Sequence, residues 1–279
     1  MRRKFYKYQG AGNDFVLLDA RDSRPDLSRE TVAALCDRHF GIGADGLMAL
    51  EPAAEGGEFY MRYFNADGGE STMCGNGGRC IALFAHHLGI GGTLKRFDSS
   101  DGVHEAEILE ADGDRGRVRL RMADVEGCEA RDNYFFLNTG SPHYVEFVDD
   151  VDAVDVYGRG RAIRYSDAFA AQGGTNVNFV QLLPDGNFRI RTYERGVEDE
   201  TLACGTGATA CALAVHLACY PSRREFRVYA RGGELKVSFE KAAGQRFTDV
   251  WLEGPAVRVF ECEADADGWK AQRADVGKK

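Results

Sequence analysis

Two cysteines, Cys74 and Cys204, each head a Cys-Gly-x-Gly sequence that runs into an Ala-rich apolar stretch. Between a strand and a helix, such a sequence puts the thiol at the helix N-terminus. There the unpaired backbone N–H groups and the positive end of the helix dipole stabilise a thiolate. The glycines let the backbone approach an anionic group and leave its N–H donors uncovered. Each motif therefore offers one activated sulfur and one carboxylate cradle. The bland reading of a single such turn is a tight connection; two copies at matched positions argue for chemistry.

The copies are matched because the chain carries an internal repeat. Cys74-Gly-Asn-Gly-Gly-Arg-Cys-Ile-Ala-Leu-Phe-Ala-His86 lies over Cys204-Gly-Thr-Gly-Ala-Thr-Ala-Cys-Ala-Leu-Ala-Val-His216 at an offset of 130 residues. The same offset pairs Glu70 with Glu200, Gly43 with Gly173, and the ten residues from Gly10 with the ten from Gly140. With a slip of one, Met61-Arg-Tyr-Phe-Asn65 falls on Ile190-Arg-Thr-Tyr-Glu194. Two similar halves related by a pseudo-twofold are the expectation. A pseudo-twofold that brings both helix starts to one cleft sets two thiols on opposite faces of one carbon, which is what racemisation requires. One thiolate takes the α-proton, the opposing thiol returns a proton to the other face, and donors on the carboxylate hold the developing charge. So weak a carbon acid calls for water to be excluded, by closure over the substrate.

The elements that position these residues follow from periodicity. Residues 58–64 and 186–193 alternate as strands leading into the Cys-Gly turns. Beyond the turns, Ile81, Leu83, Phe84 and Leu88, like Leu213, Val215 and Leu217, suit a mostly buried helix. Further strands are predicted at 103–110, 117–122, 226–229, 234–239 and 257–260. A third helix is predicted over 28–40, with Ser28 as N-cap and Val32, Leu35, Cys36 and His39 on one face. The chain reads as α+β, each half strand-rich with one central helix and the boundary near residues 127–133. Residues 1–128 carry Cys74, residues 129–262 carry Cys204, and 263–279 form a tail. The strand at about 256–262 is open to assignment with the first half.

The chain has 279 residues, 44% of them hydrophobic and 28% charged, as in ordinary globular proteins. Its net charge of −9 argues against nucleic acid or an anionic membrane as partner. The basic Met1-Arg2-Arg3-Lys4 runs into Phe5-Tyr6-Lys7-Tyr8, not an apolar h-region, and no apolar run approaches the length of a membrane span. A cytoplasmic protein is expected. Without a targeting signal, the eight cysteines are not a disulfide framework. Cys36, Cys80, Cys128, Cys211, Cys219 and Cys262 read as small buried hydrophobes. The Cys74–Cys80 and Cys204–Cys211 spacings match no common zinc pattern, so no metal is expected. His39, His86, His87, His104 and His216 read as ordinary histidines.

Gly12-Asn-Asp-Phe15, Phe64-Asn-Ala-Asp-Gly68, Met73-Cys-Gly-Asn-Gly-Gly-Arg79, Gly140-Ser-Pro-His143, Thr175-Asn176, Tyr193-Glu-Arg-Gly196 and Ala203-Cys-Gly-Thr-Gly207 resemble the diaminopimelate epimerase family in order along nearly the whole chain, to about Cys262. The resemblance implies an isomerase that interconverts LL- and meso-diaminopimelate, on the route to lysine and peptidoglycan, without pyridoxal phosphate or metal. It implies a fold of two similar domains, each a mainly antiparallel or mixed sheet curled around a central helix, assembled as a homodimer. Carried over by position, Cys74 and Cys204 are the catalytic pair, with Gly75, Asn76, Gly205 and Thr206 offering main-chain N–H groups to the reacting carboxylate. His143 and Glu194 sit beside the cysteines, tuning protonation and holding the α-amine. Asn13, Asn65, Asn176 and Arg195 hold the rest of the substrate, the Arg195 fork suiting a carboxylate. From the residues alone, Asn13 and Asn65 serve equally as turn formers, Glu194 and Arg195 as a solvated ion pair, and His143 as a loop histidine. Two departures, Ser141 where some members carry Asn and Gly46 where some carry Gln, put side-chain contacts there in doubt.

Two other readings stay open. A proline or hydroxyproline racemase would share the architecture and both thiols, but needs no group for a second amino-acid head, which Asn65, Asn176 and Arg195 supply. A phenazine-type isomerase is disfavoured by the presence of both thiols. From a different class, a thiol redox or binding protein would join Cys74 and Cys204 in a reversible disulfide.

Overall fold

Phe59, Met61 and Tyr63 are buried while Tyr60 and Arg62 between them are half-buried, the mark of a strand with one face on a core. That pattern recurs throughout the computed structural model, which describes residues 2–53 and 56–265. Their contacts divide into two units: the described parts of Met1–Leu120 and Pro255–Lys279, and the segment Arg121–Gly254.

The first unit contains β1 (Arg2–Gly10), β2 (Asn13–Asp19), α1 (Arg29–Cys36), β3 (Gly46–Glu51), β4 (Phe59–Asn65), β5 (Glu70–Ser71), α2 (Gly75–His87), β6 (Leu94–Ser99), β7 (Gly102–Asp112) and β8 (Arg115–Arg121). The second contains β9 (Glu129–Ala130), β10 (Phe135–Asn138), β11 (Pro142–Phe147), α3 (Val156–Arg164), a 3-10 turn (Asp167–Gln172), β12 (Asn176–Leu182), β13 (Phe188–Glu194), β14 (Asp199–Thr201), α4 (Gly205–Ala218), β15 (Glu225–Ala230) and β16 (Gly233–Lys241). The long strand β17 (Phe247–Asp265) starts in the second unit, where it pairs with β16, and ends in the first, where it pairs with β1.

In the first unit the strands neighbour one another in the order β17, β1, β2, β3, β4, β6, β7, β8, with β2–β3 and β4–β6 parallel and the pairs β17–β1, β1–β2, β3–β4, β6–β7 and β7–β8 antiparallel. The second runs β9, β10, β11, β12, β13, β15, β16, β17, with β11–β12 and β13–β15 parallel and the others antiparallel. The pairing sequence is the same in both. The repeat seen in the residues is thus a repeat of topology, and α4 begins 130 residues after α2. Even an ion pair is repeated: Arg62 with Glu70 at 3.1 Å and Arg191 with Glu200 at 2.7 Å, each binding the strand before the turn to the short strand after it.

Each sheet is curled around its helix. α2 touches β1, β2, β3 and β7, and every residue from Gly75 to Ala85 is buried; α4 touches strands from β10 to β16. A helix enclosed on all sides must be apolar or small on all sides, which explains the Ala- and Gly-rich sequence of both.

The remaining sequence expectations fare unevenly. Residues 121–128, assigned by pattern to the first half, hydrogen-bond within the second unit: Met122 N donates to Val250 O at 2.8 Å and Val125 N to Phe247 O at 2.9 Å. Glu263, Ala264 and Asp265, read as tail, pair with β1; the rest of the tail lies outside the described residues. α1 stops at Cys36 and does not reach Phe40. Asp37 Oδ1 accepts from the N–H groups of His39 and Phe40, both at 2.9 Å, and this Asx turn replaces another helical turn. His39 is consequently exposed, not on the buried face, and Cys219, at the end of α4, is exposed as well. Cys36, Cys80, Cys128 and Cys211 are buried.

Leu213 is fully buried in α4. Leu213→Ala is expected to cost about 2–5 kcal/mol, read as a lower midpoint of urea unfolding at unchanged slope. A loss below about 1 kcal/mol would contradict the enclosure of this helix.

Candidate active site

Cys74 is the N-cap of α2, with extended backbone (φ −104°, ψ 133°), and Gly78 N to Cys74 O at 2.7 Å opens the helical ladder. Its sulfur lies 3.8 Å from Asn13 Oδ1. Asn13, at the start of β2, also accepts from Asn76 Nδ2 at 3.2 Å and donates through Nδ2 to Asp45 Oδ2 at 2.7 Å, so its oxygen is turned to the helix start. Arg38 binds Asp45 at 2.6 Å and Asp14 at 2.7 Å, and Lys7 meets Asp14 at 2.6 Å. Although burial pushes the Asp14 carboxyl up, the hydrogen bonds from Arg38 and Lys7 outweigh it and hold the group down at about 2. A charged network therefore anchors the strand end that carries Asn13.

Cys204 is the N-cap of α4 (φ −118°, ψ 114°), and Ala208 N to Cys204 O at 2.9 Å opens its ladder. Both Cys74 and Cys204 are in the thiol form. The sulfur of Cys204 is 3.5 Å from Thr206 Oγ1, which lies 2.9 Å from His143 Nε2. His143 is on β11, fully buried, and so is not a loop histidine. Burial, with the nearby Arg195 charge adding to it, pushes its pKa down to about 3. The imidazole is neutral at physiological pH.

The structure gathers Asn13, Cys74, Gly75 and Asn76 in the first unit and His143, Cys204, Gly205 and Thr206 in the second. The pairs Asn13/His143 and Asn76/Thr206 each stand 130 residues apart in the repeat. Asn65 ends β4 beside this end of the sheet: it is exposed and pairs with Gly46, which pairs with Phe15 two residues after Asn13. Gly46 itself has no room for a side chain, since a Cβ there would lie 2.6 Å from Phe64 O and 2.7 Å from the Tyr63 ring.

Asn176 and Arg195 are bound to each other. Asn176 is buried; it accepts from the Arg195 backbone N–H at 2.9 Å and donates to Ser141 Oγ at 2.8 Å and Pro142 O at 3.0 Å. Both protons of its amide are used within the protein, and its oxygen holds the Arg195 backbone. The Arg195 guanidinium, half-buried, reaches Gln172 O at 3.1 Å and Ser141 Oγ at 3.3 Å. Ser141 thus supports two neighbours. Glu194 accepts from Thr201 Oγ1 at 2.8 Å.

Two residues escaped the sequence reading. Arg79, fully buried in α2, donates to Asn76 Oδ1 at 2.9 Å and Gly75 O at 3.1 Å, and so holds the first turn behind Cys74. Its signal was an arginine in an otherwise small and apolar helix. Asn178, fully buried on β12, lies 3.1 Å from His143 Nδ1. Its signal was a second Asn two positions beyond Asn176, on the same face of a strand. Among the described residues, no group of three or more His, Cys, Asp and Glu side chains is arranged to hold a metal.

The depressed pKa of His143 has a consequence for stability. The unfolded chain takes up a proton on this ring below about pH 6.5, whereas the folded protein resists it until about 3. The contribution is whole above pH 6.5 and is lost as pH falls towards 3. Between pH 6.5 and 5, wild type should therefore lose about 2 kcal/mol more than His143→Gln. Parallel loss in the two proteins, measured by urea unfolding at each pH, would show that this ring does not resist protonation.

Comparison with known proteins bears on the whole chain. Residues 5–126 and 135–259 match the family described as diaminopimelate epimerase. A protein of Flavobacterium psychrophilum named diaminopimelate epimerase is 48% identical over 259 residues, covering 92% of this chain and 98% of its own length. Among solved structures, a phenazine biosynthesis protein of the PhzF family from Bacillus anthracis superposes with a TM-score of 0.76 at 14% identity, over 95% of this chain and 99% of that one. A probable proline racemase from Agrobacterium radiobacter K84 superposes with a TM-score of 0.71 at 16% identity, over 94% and 93%. The structural likenesses, at so low an identity, speak to fold alone. On the sequence match and its reach over both units, the chain belongs to the diaminopimelate epimerase family.

Proposed function

We propose that this protein interconverts LL- and meso-diaminopimelate by inverting one α-carbon with two thiols, Cys74 and Cys204, and no cofactor. The observation that carries this reading is a cysteine at the N-cap of each of two topologically equivalent, enclosed helices, in a chain of this family. A thiolate takes the α-proton, so that the C–H bond breaks, an S–H bond forms and the electron pair passes into the carboxylate as an enediolate. The other thiol gives its proton to the opposite face, the pair returns to carbon, and the thiol and thiolate have exchanged roles. The main-chain N–H groups of Gly75, Asn76, Gly205 and Thr206 are the donors assigned to the reacting carboxylate. Asn13 and His143 act beside the sulfurs, and Glu194 takes the α-amine.

The distal amino-acid head falls to Asn65 and Arg195, the latter steadied by Ser141 and Asn176. Identity near one half to an epimerase, against 16% to a racemase, disfavours the proline reading. Among the described residues no helix is long and apolar enough to cross a membrane. A cytoplasmic homodimer completes the proposal, testable as a solution mass twice that of the chain.

The deciding experiment is proton NMR of the reduced protein with LL-diaminopimelate in deuterated water, beside L-proline. Loss of the α-proton signal with growth of the meso isomer is expected; exchange with proline alone would move the protein to the racemases, and exchange with neither would remove the epimerase reading. Cys74→Ala and Cys204→Ala should each slow both directions by about 10²–10⁴-fold while leaving the circular dichroism unchanged. Arg195→Lys, which keeps the charge but loses the fork, should raise KM about tenfold with little change in kcat. An unchanged KM would take Arg195 out of the substrate's reach.

A further inference from the structure

Asn178 makes contacts that fix more than its own place. Its Nδ2 donates to Tyr144 O at 2.8 Å, and its Oδ1 accepts from Thr192 Oγ1 at 3.0 Å. A carbonyl oxygen only accepts, so the amide has one orientation, and it is the nitrogen that stands 3.1 Å from His143 Nδ1. That ring nitrogen must then be the acceptor. A neutral imidazole that accepts at Nδ1 carries its proton on Nε2, and Nε2 is 2.9 Å from Thr206 Oγ1. Receiving this proton, the hydroxyl has its own left for the Cys204 sulfur at 3.5 Å.

We propose that Asn178 is a positioning residue: by locking His143 as the Nε2–H tautomer it aims the Thr206 hydroxyl proton at Cys204, favouring the thiolate there. Its catalytic meaning rests on the epimerase reading; the relay itself does not. In the other tautomer Thr206 would donate to the ring, and Cys204 would be left to meet the hydroxyl oxygen as an S–H donor. The direction of one amide thus decides which protonation state of the sulfur is welcomed.

The packing is closed around this chain of contacts. A Cβ at Gly207 would lie 2.6 Å from Asn178 Oδ1 and 3.3 Å from Cys204 Sγ. The first unit has no counterpart, because the residue 130 positions before Asn178 is Met48, whose sulfur stands 3.2 Å from the Cβ position of Gly77. There Asn13 stands where His143 does, and an amide has no tautomer to set. Among the charged and titratable groups of its unit, Arg195 acts on His143 and Cys211 neighbours Cys204; burial pushes the Cys211 thiol up and keeps it neutral.

The test needs no substrate. In protein labelled with ¹⁵N-histidine, with the His143 signal assigned by His143→Gln, wild type should show an unprotonated Nδ1 and a protonated Nε2. Asn178→Asp, which offers Nδ1 an acceptor, should move the proton to Nδ1. In a Cys74→Ala background, alkylation of Cys204 by iodoacetamide at neutral pH, followed by peptide mass spectrometry, should slow about tenfold in Asn178→Asp and in Thr206→Val. The double variant should be no slower than the slower single one, since both interrupt one path. A protonated Nδ1 in wild type, an unchanged alkylation rate, or additive losses would overturn the proposal. If Asn178→Asp does not fold, the wild-type spectrum and Thr206→Val still decide it. Absence of epimerase activity would overturn the functional reading and leave this result standing.

Discussion

The start of a helix enclosed by its own sheet has to be fixed by side chains that reach it from inside the fold, and much of the arrangement around Cys74 and Cys204 follows from that. In α2 the buried Arg79 spans the first turn, bonding the Gly75 carbonyl and the Asn76 side chain; in α4 Thr139 Oγ1 donates to Thr206 O at 2.8 Å, while His143 holds the Thr206 hydroxyl. The groups that fix each helix start are therefore those that surround each sulfur. Donors at such a start, aimed by a rigid frame, suit an anionic ligand better than donors on an open helix.

The halves share topology and differ in chemistry. Positions 13 and 143 each contact the side chain of the second residue of their helices, but one carries a carboxamide and the other a neutral imidazole. The carboxamide is oriented by a charged network of Asp45, Arg38 and Asp14, and the imidazole by the uncharged Asn178. Equal helix starts with unequal neighbours can hold two thiols in different protonation states, which a reaction that uses a thiolate and a thiol together requires.

What was legible in the sequence was whatever repeats or alternates. The offset of 130 residues located both sulfurs, the strands before them and the helices after them, because each half folds by its own local pattern. Less legible were features set by contacts far along the chain. The end of α1 is decided by one aspartate turning back on His39 and Phe40, against an apolar periodicity that continued. β17 was seen only as a strand within about 256–262, whereas it runs from Phe247 through Gly254 and Pro255, from one pairing partner to another. Asn176, read as a ligand for substrate, spends its amide on Ser141, Pro142 and Arg195, a role visible only once β11, β12 and β13 lie side by side.

The glycines of the two turns show how packing and chemistry share one motif. Read from sequence, they keep backbone donors uncovered; in the structure a Cβ on the third residue of either helix would also be crowded, severely at Gly207 and mildly at Gly77. At Gly207 the obstruction is the Asn178 oxygen at 2.6 Å, and at Gly77 it is the Met48 sulfur at 3.2 Å. A side chain at Gly207 would press on the amide that faces His143 and, at 3.3 Å, on the Cys204 sulfur itself. The tightness of the turn and the surroundings of its cysteine are in this way one constraint, and a change at Gly207 would reach Cys204 directly as well as through the contacts of Asn178 with His143 and of His143 with Thr206.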